Sequence, residues 1–258
     1  MKLYDNAFSP FARKVRMVLD HKGLDYETID GLDLDNHAAL TAVNGRIEVP
    51  TLEDDGVTVV NSADIVAYLE HRHPANPVYP EDPARRVAAR AWERCADSTI
   101  DPILVDISYW LWAERPDAMP AGLKEAAQAD MNQVYAALEH ALSEEDFVCG
   151  ALSVADIALF PHLSAVRAMG VPFDPADQPK LAAWLKRMLS LDICKADVTR
   201  ARNYINSIAD RNLERRRIFW RGDRIEWLLA RGYHDWFAKE IAEDRVIWPG
   251  LGIPDPEA

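Results

Sequence analysis

Ser9 opens SPFARKVRMVL (residues 9–19) and stands where a short alternating run ends and a run with helical spacing begins. A hydroxyl at such a junction has two uses. It can accept an orphan backbone N–H as a helix N-cap, with Pro10 comfortable in the first turn. Or it can face outward and donate to an anion at the positive end of the helix. Taken by themselves, the residue preferences favour the cap. Elsewhere the chemistry-bearing residues are sparse. Cys95, Cys149 and Cys194 are far apart and odd in number, without a CxxC pair or a metal-ligand spacing. Neither a disulfide framework nor a metal site is expected from them. His71 and His73 are close in sequence, but residues two apart on a helix face away from each other, which makes a poor metal pair.

Whichever use Ser9 has, it needs a strand before it and a helix after it. KLYDN reads as a strand, and Val15, Val18 and Leu19 recur at helical spacing within 10–22 before Gly23 stops the run. DYETID alternates like a second strand, HAALTAV is a loose helical stretch, and VPTLED, DDG and VTVVN together predict a hairpin. Ser62 is the expected N-cap of ADIVAYLEHRH, where Ile65 and Leu69 share a face. The order is βαβ followed by ββα. Residues 74–83, PANPVYPEDP, hold four prolines and no periodicity, so a linker is expected there.

Beyond the linker the pattern is helical. Residues 84–113 are rich in Ala and Arg, and residues 121–142 place Leu123, Ala127, Met131, Val134, Leu138 and Leu142 on one stripe. SVADIALFPHL begins with Ser153 and Asp156 in a capping-box arrangement, with Asp in place of the usual Glu. Residues 180–191 predict one more amphipathic helix. From Arg200 to Arg231 nine arginines face four acids, in a chain that is acidic elsewhere. An acid-paired or solvated helix face is the ordinary explanation, and a phosphate-binding surface is the alternative. Trp220, Trp227, Trp236, Phe237 and Trp248 add an apolar load that should dock on the body or on a second subunit.

The chain has 258 residues, 49% of them hydrophobic, enough for one large domain or two smaller ones. A net charge of −13 argues against a general nucleic-acid binder, which needs a positive surface to displace counterions. The N-terminus MKLYDNAF has no apolar signal core, and no run approaches the length of a membrane span. A reduced, cytoplasmic setting is the expectation, with neither nucleic acid nor membrane as partner.

An α/β unit of this order, a proline-rich linker and an all-helical unit together resemble the cytosolic glutathione transferases. Three local matches carry the resemblance. SPFARKVR is similar to the first-helix motif of the serine-type classes, NGRIEVPTLEDDG to the family's Asn-Pro-x-Gly-x-Val-Pro loop, and SVADIALFP to the capping motif of the second domain's core helix. The resemblance implies a thioredoxin-like α/β domain over 1–73, a linker over 74–83 and an all-α domain over 84–199. Residues 200–258 fall outside it and are expected to form a helical extension. It also implies glutathione as co-substrate and a homodimer, in which Trp92 lies on a helix able to face the partner.

The same resemblance gives Ser9 its second use: the residue at this place meets the glutathione sulfur. Lowering a thiol pKa from about 8.5 to about 6.5 takes roughly 2.7 kcal/mol. A charge-assisted hydrogen bond supplies about 1.5–3 kcal/mol and a helix terminus about 0.3–1. Thiolate population then contributes less than about a hundredfold, and the rest must come from placing the electrophile. Relatives with Cys-Pro-Phe at this place form a mixed disulfide with glutathione, which serine cannot do, so transfer onto an electrophile is favoured over redox exchange.

The remaining site residues are also carried by the resemblance. Phe11 belongs to the first-helix motif. Pro50 matches the family's cis-proline, and Val49 would pair its main chain with the cysteinyl part of glutathione. Asn61 and Ser62 would hold the γ-glutamyl carboxylate at a helix N-terminus, although most relatives have Glu or Gln in place of Asn61. Glu48 departs further, since an acid near the glycyl carboxylate repels it, so Arg46 or Lys14 must compensate. Phe8, Tyr109, Trp110 and Trp112 are candidates for an apolar pocket for the second substrate, the aromatic run YWLW being equally readable as core. An apolar or aromatic electrophile is the expected substrate. A glutathione-dependent lyase, dehalogenase or isomerase, or a non-catalytic protein-binding relative, are the alternatives.

Overall fold

The protein is described here as a computed structural model covering residues 1–112, 117–142, 146–215, 217–219 and 221–247. Its first element, β1 (Lys2–Asp5), lies parallel to β2 (Glu27–Asp30), as a crossover through α1 (Pro10–Lys22) allows. Gly23 ends α1 in the left-handed region, with φ of 69°, and its N–H bonds back to Asp20 O. A 3₁₀ turn (Leu34–Asn36) and α2 (His37–Asn44) lead to β3 (Thr51–Asp54) and β4 (Val57–Val60). Asp55 and Gly56 both have positive φ, 49° and 78°, as a two-residue primed hairpin turn demands. The sheet order is β2-β1-β3-β4, with β3 antiparallel to both neighbours. Leu3, Val15, Val18, Leu19, Leu52 and Ile65 are fully buried in its core.

α3 (Ser62–Arg72) corrects one expectation. Its N-cap is Asn61, whose Oδ1 accepts from Ala63 N at 2.9 Å, and Ser62 is the first helical residue. The linker is also less independent than its prolines suggest. Lys22 Nζ donates to the carbonyls of His73 and Ala75 (2.9 and 3.2 Å), while Glu70 accepts from the N–H groups of Val78 and Tyr79.

The helical part runs α4 (Pro83–Cys95), a π turn (Ala96–Ile100), α5 (Asp101–Trp112), α6 (Leu123–Ala141), α7 (Val154–Leu163), α8 (Val166–Met169) and α9 (Pro179–Met188). The expected α6 stripe is buried throughout, from Leu123 to Leu142. Asp156 accepts from Ser153 N and Oγ, from Val148 N and from Trp184 Nε1, so the Asp variant of the capping box also ties two loops and a helix together. α9 stops three residues short of the expected end, because Leu191 is extended ahead of the next helix, α10 (Asp192–Asn206).

β5 (Ile218–Phe219), α11 (Gly222–Ala230), α12 (His234–Ala242) and β6 (Val246–Ile247) follow, with β5 parallel to β6. The chain divides into two compact units. The described residues within 1–79 and 189–214 make up one, and those within 80–188 and 215–247 make up the other. Of the extension expected from residue 200, the part up to 214 belongs to the α/β unit and the described part from 215 to the helical unit. Its arginines follow the acid-paired reading. Arg200 meets Asp20 at 2.7 Å, Arg211 meets Asp30 at 3.1 Å, Arg221 and Arg224 share Asp101 at 3.2 Å, and Arg231 Nε meets Asp130 at 2.7 Å. In the helical unit Ile225, Leu228 and Phe237 are buried, Trp227 donates to Asp130 (3.0 Å), and Trp236 packs on Trp110 at 5.4 Å between centroids. Trp220 and Trp248 lie outside the described residues. No described helix is long and apolar enough to cross a membrane.

Candidate functional site

Strand register gathers the α/β unit's candidates at one end of the sheet's strands. Tyr4, near the end of β1, pairs with Thr51 at the start of β3, and Thr51 pairs with Val60 at the end of β4. The segments flanking those residues carry Ser9, then Val49 and Pro50, then Asn61 and Ser62. Pairing across three strands thus brings together residues more than fifty positions apart.

Ser9 caps α1: its Oγ accepts from Ala12 N at 3.3 Å, with φ and ψ of −67° and 115°. The cap uses an acceptor lone pair and leaves the hydroxyl hydrogen to donate, so the two uses of this serine are compatible. No acid lies in the first turn of α1, and its positive end is not neutralised from within. Phe11, in that turn, is half-buried.

The Val49–Pro50 peptide is cis, and Pro50 is buried. The loop before it is braced by Asn44, whose Nδ2 donates to Glu48 O and Thr51 Oγ1, both at 2.8 Å. Asn44 was not foreseen from the sequence, although the Asn-Gly pair at 44–45 was the available signal: Gly45 sits at φ 73° and lets the chain turn. Arg46 Nε lies 3.4 Å from Glu48 Oε2, which offsets the charge of the unexpected acid. Lys14, the other suggested compensator, is 1% exposed and is not presented at this surface.

Asn61 is exposed and adopts φ 70°, ψ 129°, outside the left-handed helical basin. A non-glycine residue there costs about 1–3 kcal/mol, a strain found mostly at functional positions. Ser62 is buried beneath it. Tyr4 is also buried, and desolvation raises its pKa; Asn6 is enclosed in a hydrogen-bond network. The thiols offer no rival nucleophile: burial pushes Cys149 up to about 11 and raises Cys95 too.

The second-substrate candidates are dispersed over the two units. Phe8, in the α/β unit, packs edge-on against Tyr204 at 5.3 Å. In the helical unit Tyr109 is 4% exposed and therefore core, while Trp110 is half-buried between Tyr109 and Trp236. Trp112 ends α5, and its side chain lies outside the described set. Among the described residues no cluster of His, Cys, Asp or Glu could hold a metal ion.

Residues 3–77 match the glutathione S-transferase N-terminal domain and residues 121–187 the glutathione S-transferase C-terminal domain. The chain belongs to the glutathione S-transferase family. A maize glutathione transferase, GST 23, is 30% identical over 198 residues, 73% of this chain and 84% of its own length. The maleylacetoacetate isomerase of Mus musculus is 29% identical over 199 residues, 74% of this chain and 88% of its own. Among solved structures, a glutathione S-transferase from Rhodospirillum rubrum superposes with a TM-score of 0.68 at 26% identity, covering 77% of this chain and 91% of that one. This transferase therefore has the family's thioredoxin-like domain and helical domain, and its α10 belongs to the same compact unit as the former.

Proposed function

We propose that this enzyme uses Ser9 to stabilise the thiolate of glutathione for attack on an apolar or aromatic electrophile. The observation that carries the reading is the gathering of Ser9, Val49–Pro50 and Asn61–Ser62 at one end of the sheet's strands, set by the Tyr4–Thr51–Val60 register. In this reading the Ser9 hydroxyl donates to the sulfur while its oxygen stays on Ala12 N, and the unneutralised end of α1 favours the negative charge. Val49 offers its main chain to the peptide part of the substrate, and Asn61 and Ser62 receive the γ-glutamyl carboxylate. The Arg46–Glu48 pair lets the glycyl end approach without net repulsion. Trp110, half-buried on α5, is the aromatic candidate for the electrophile's surroundings; Tyr109 serves the core.

A glutathione-dependent isomerase is the second reading, favoured by the similarity to the murine maleylacetoacetate isomerase. Retention on immobilised glutathione, followed by a panel of haloarenes, enones, epoxides and cis-alkenoic acids with product analysis, tests both. Conjugates formed with the first three classes support transfer, and isomerised acid without a conjugate supports the second reading. Failure to bind glutathione sinks both. The homodimer belongs to the proposal as well, with Val87 on α4 71% exposed and Trp92 half-buried; sedimentation as a 29.1 kDa monomer at micromolar concentration would remove it.

A further inference from the structure

Asn6 precedes the Ser9 loop, and its two oxygens hold that loop while its amide nitrogen is tied elsewhere. Its Oδ1 accepts from Phe8 N at 2.9 Å and its carbonyl accepts from Ser9 N at 3.0 Å. Its Nδ2 donates to Asp30 Oδ1 at 2.9 Å and to the Tyr204 hydroxyl at 2.6 Å. Tyr204 in turn donates to Asp30 Oδ2 at 2.9 Å, so the three side chains form a closed ring. Asn6 is 2% exposed and Tyr204 5%. This ring decides which way the Asn6 amide points. Turned over, Asn6 would set an NH2 against the Phe8 N–H and a carbonyl oxygen against the Asp30 carboxylate, losing both contacts.

Tyr204 comes from α10, far from Asn6 in sequence, yet it touches the loop twice. Its ring packs edge-on to Phe8, and the Arg211 guanidinium covers the same ring 3.9 Å from its centroid while Nη1 binds Asp30 Oδ2. Burial and the nearby Asp30 carboxylate raise the pKa of the phenol, which keeps it protonated and able to donate. A loop fixed at Phe8 N and Ser9 N has little freedom left at the Ser9 side chain, where a displacement of about 1 Å can cost orders of magnitude in rate.

We propose that Tyr204 is a positioning residue for the glutathione reaction, holding Ser9 in place through Asn6 and Phe8. The proposal rests on Ser9 meeting the glutathione sulfur. It assigns to the C-terminal α10 a part in thiolate formation, beside its part in the fold.

The test compares wild type, Ser9→Ala, Tyr204→Phe and the double variant, with glutathione and chlorodinitrobenzene as probes. The readouts are the pH midpoint of the ultraviolet thiolate band of bound glutathione, kcat, KM and Tm. Tyr204→Phe keeps the ring on Phe8 and removes only the hydroxyl. It should move the midpoint to higher pH and lower kcat about fivefold, the rate equivalent of about 1 kcal/mol, with KM for glutathione within about twofold. In the Ser9→Ala background the same change should add little. A Tyr204→Phe protein with a lower Tm but an unmoved midpoint and kcat overturns the proposal and leaves the role of Ser9 standing. So does an equal further loss in the Ser9→Ala background, since Tyr204 would then act elsewhere. An unmoved midpoint in Ser9→Ala overturns the role of Ser9, and this proposal with it. If Tyr204→Phe fails to fold, Asp30→Asn disturbs the same ring and is read in the same way.

Discussion

Asp197 on α10 holds Arg13 on α1 with both carboxylate oxygens, at 3.2 and 3.0 Å from Nε, with Nη2 2.7 Å from Oδ2. Its Oδ1 also reaches Arg16 Nη2 at 3.3 Å, and Arg16 Nη1 lies 2.6 Å from Asp5 Oδ2. All four side chains are buried, so one carboxylate serves two guanidinium groups out of reach of water. Removing one partner of a buried ion pair costs about 3–5 kcal/mol. Asp197→Ala should therefore lower Tm by roughly ten degrees, and denaturant unfolding followed by near-ultraviolet circular dichroism gives the check. An unchanged Tm would mean that α10 is not anchored to α1 through this group.

Gly31 controls Val49 from below. A Cβ placed on Gly31 would stand 2.6 Å from Val49 Cγ1 and 3.2 Å from Leu40 Cδ2. Gly31→Ala must push Val49 aside, at about 1–3 kcal/mol of overpacking. Because Val49 is the proposed main-chain contact of glutathione, KM for glutathione should rise by about threefold or more. A rise in Tm with KM unchanged would show that the loop absorbs the methyl group freely.

Ser9 allows two opposed substitutions. Ser9→Ala should lower turnover by about tenfold or more while the protein stays folded and retains glutathione binding, since one charge-assisted donor is lost. Unchanged turnover would end the role assigned to this hydroxyl. Ser9→Cys should confer glutathione-dependent disulfide reduction, read by mass spectrometry as a mixed disulfide at this position.

Asp106 on α5 is buried, its Oδ2 lacks a hydrogen-bond partner, and desolvation raises its pKa well above the ordinary carboxylate value, with Arg224 opposing and Asp101 and Asp223 adding to the rise. The folded state therefore binds a proton that the unfolded state has already released. Stability from this group is full below the unfolded pKa, near 3.8, and is lost as pH rises through the higher folded value. Asp106→Asn should remove that loss, raising Tm above neutral pH by a few degrees and flattening Tm against pH. A lower Tm at pH 8 would show that the ionised carboxylate is needed there.

Truncation after Asn203 should damage the α/β unit. It removes Tyr204 and Arg211, together with the Asp33–Leu213 bridge and the Leu34 N to Asn212 O bond (2.8 Å) that pin the chain ahead of α2. The truncated protein should lose most of its affinity for immobilised glutathione. Full retention would show that the α/β unit closes without these contacts.

Much of this was legible because it is local. The α1 stop at Gly23, the hairpin at Asp55–Gly56 and the α6 stripe follow from single-residue preferences and helical spacing, and each stands where the pattern puts it. Asn61 was harder: serine and asparagine are near-equal caps, and the choice fell to a backbone angle that the pattern does not carry. The path of residues 200–214 is not legible in the sequence, because aromatic content reports burial but not the surface that provides it. A signal was present on α10, where Cys194, Asp197 and Tyr204 share one buried face. An acid on such a face requires a buried cation, and Arg13 and Arg16 supply it from a helix whose pattern otherwise reads as apolar.

The return of residues 189–214 to the α/β unit also bears on the order of synthesis. The first unit is interrupted in sequence by residues 80–188 of the second, so it lacks Asp197 and Tyr204 until that whole insertion has been made. At translation rates of about 5–20 residues per second, that interval is on the order of ten seconds. During it Arg13 and Arg16 have no Asp197 to bury against, and the Ser9 loop lacks the Tyr204 hydroxyl. The nascent α/β unit must therefore wait in a looser form, completing itself only after α4 to α9 of the other unit have been made.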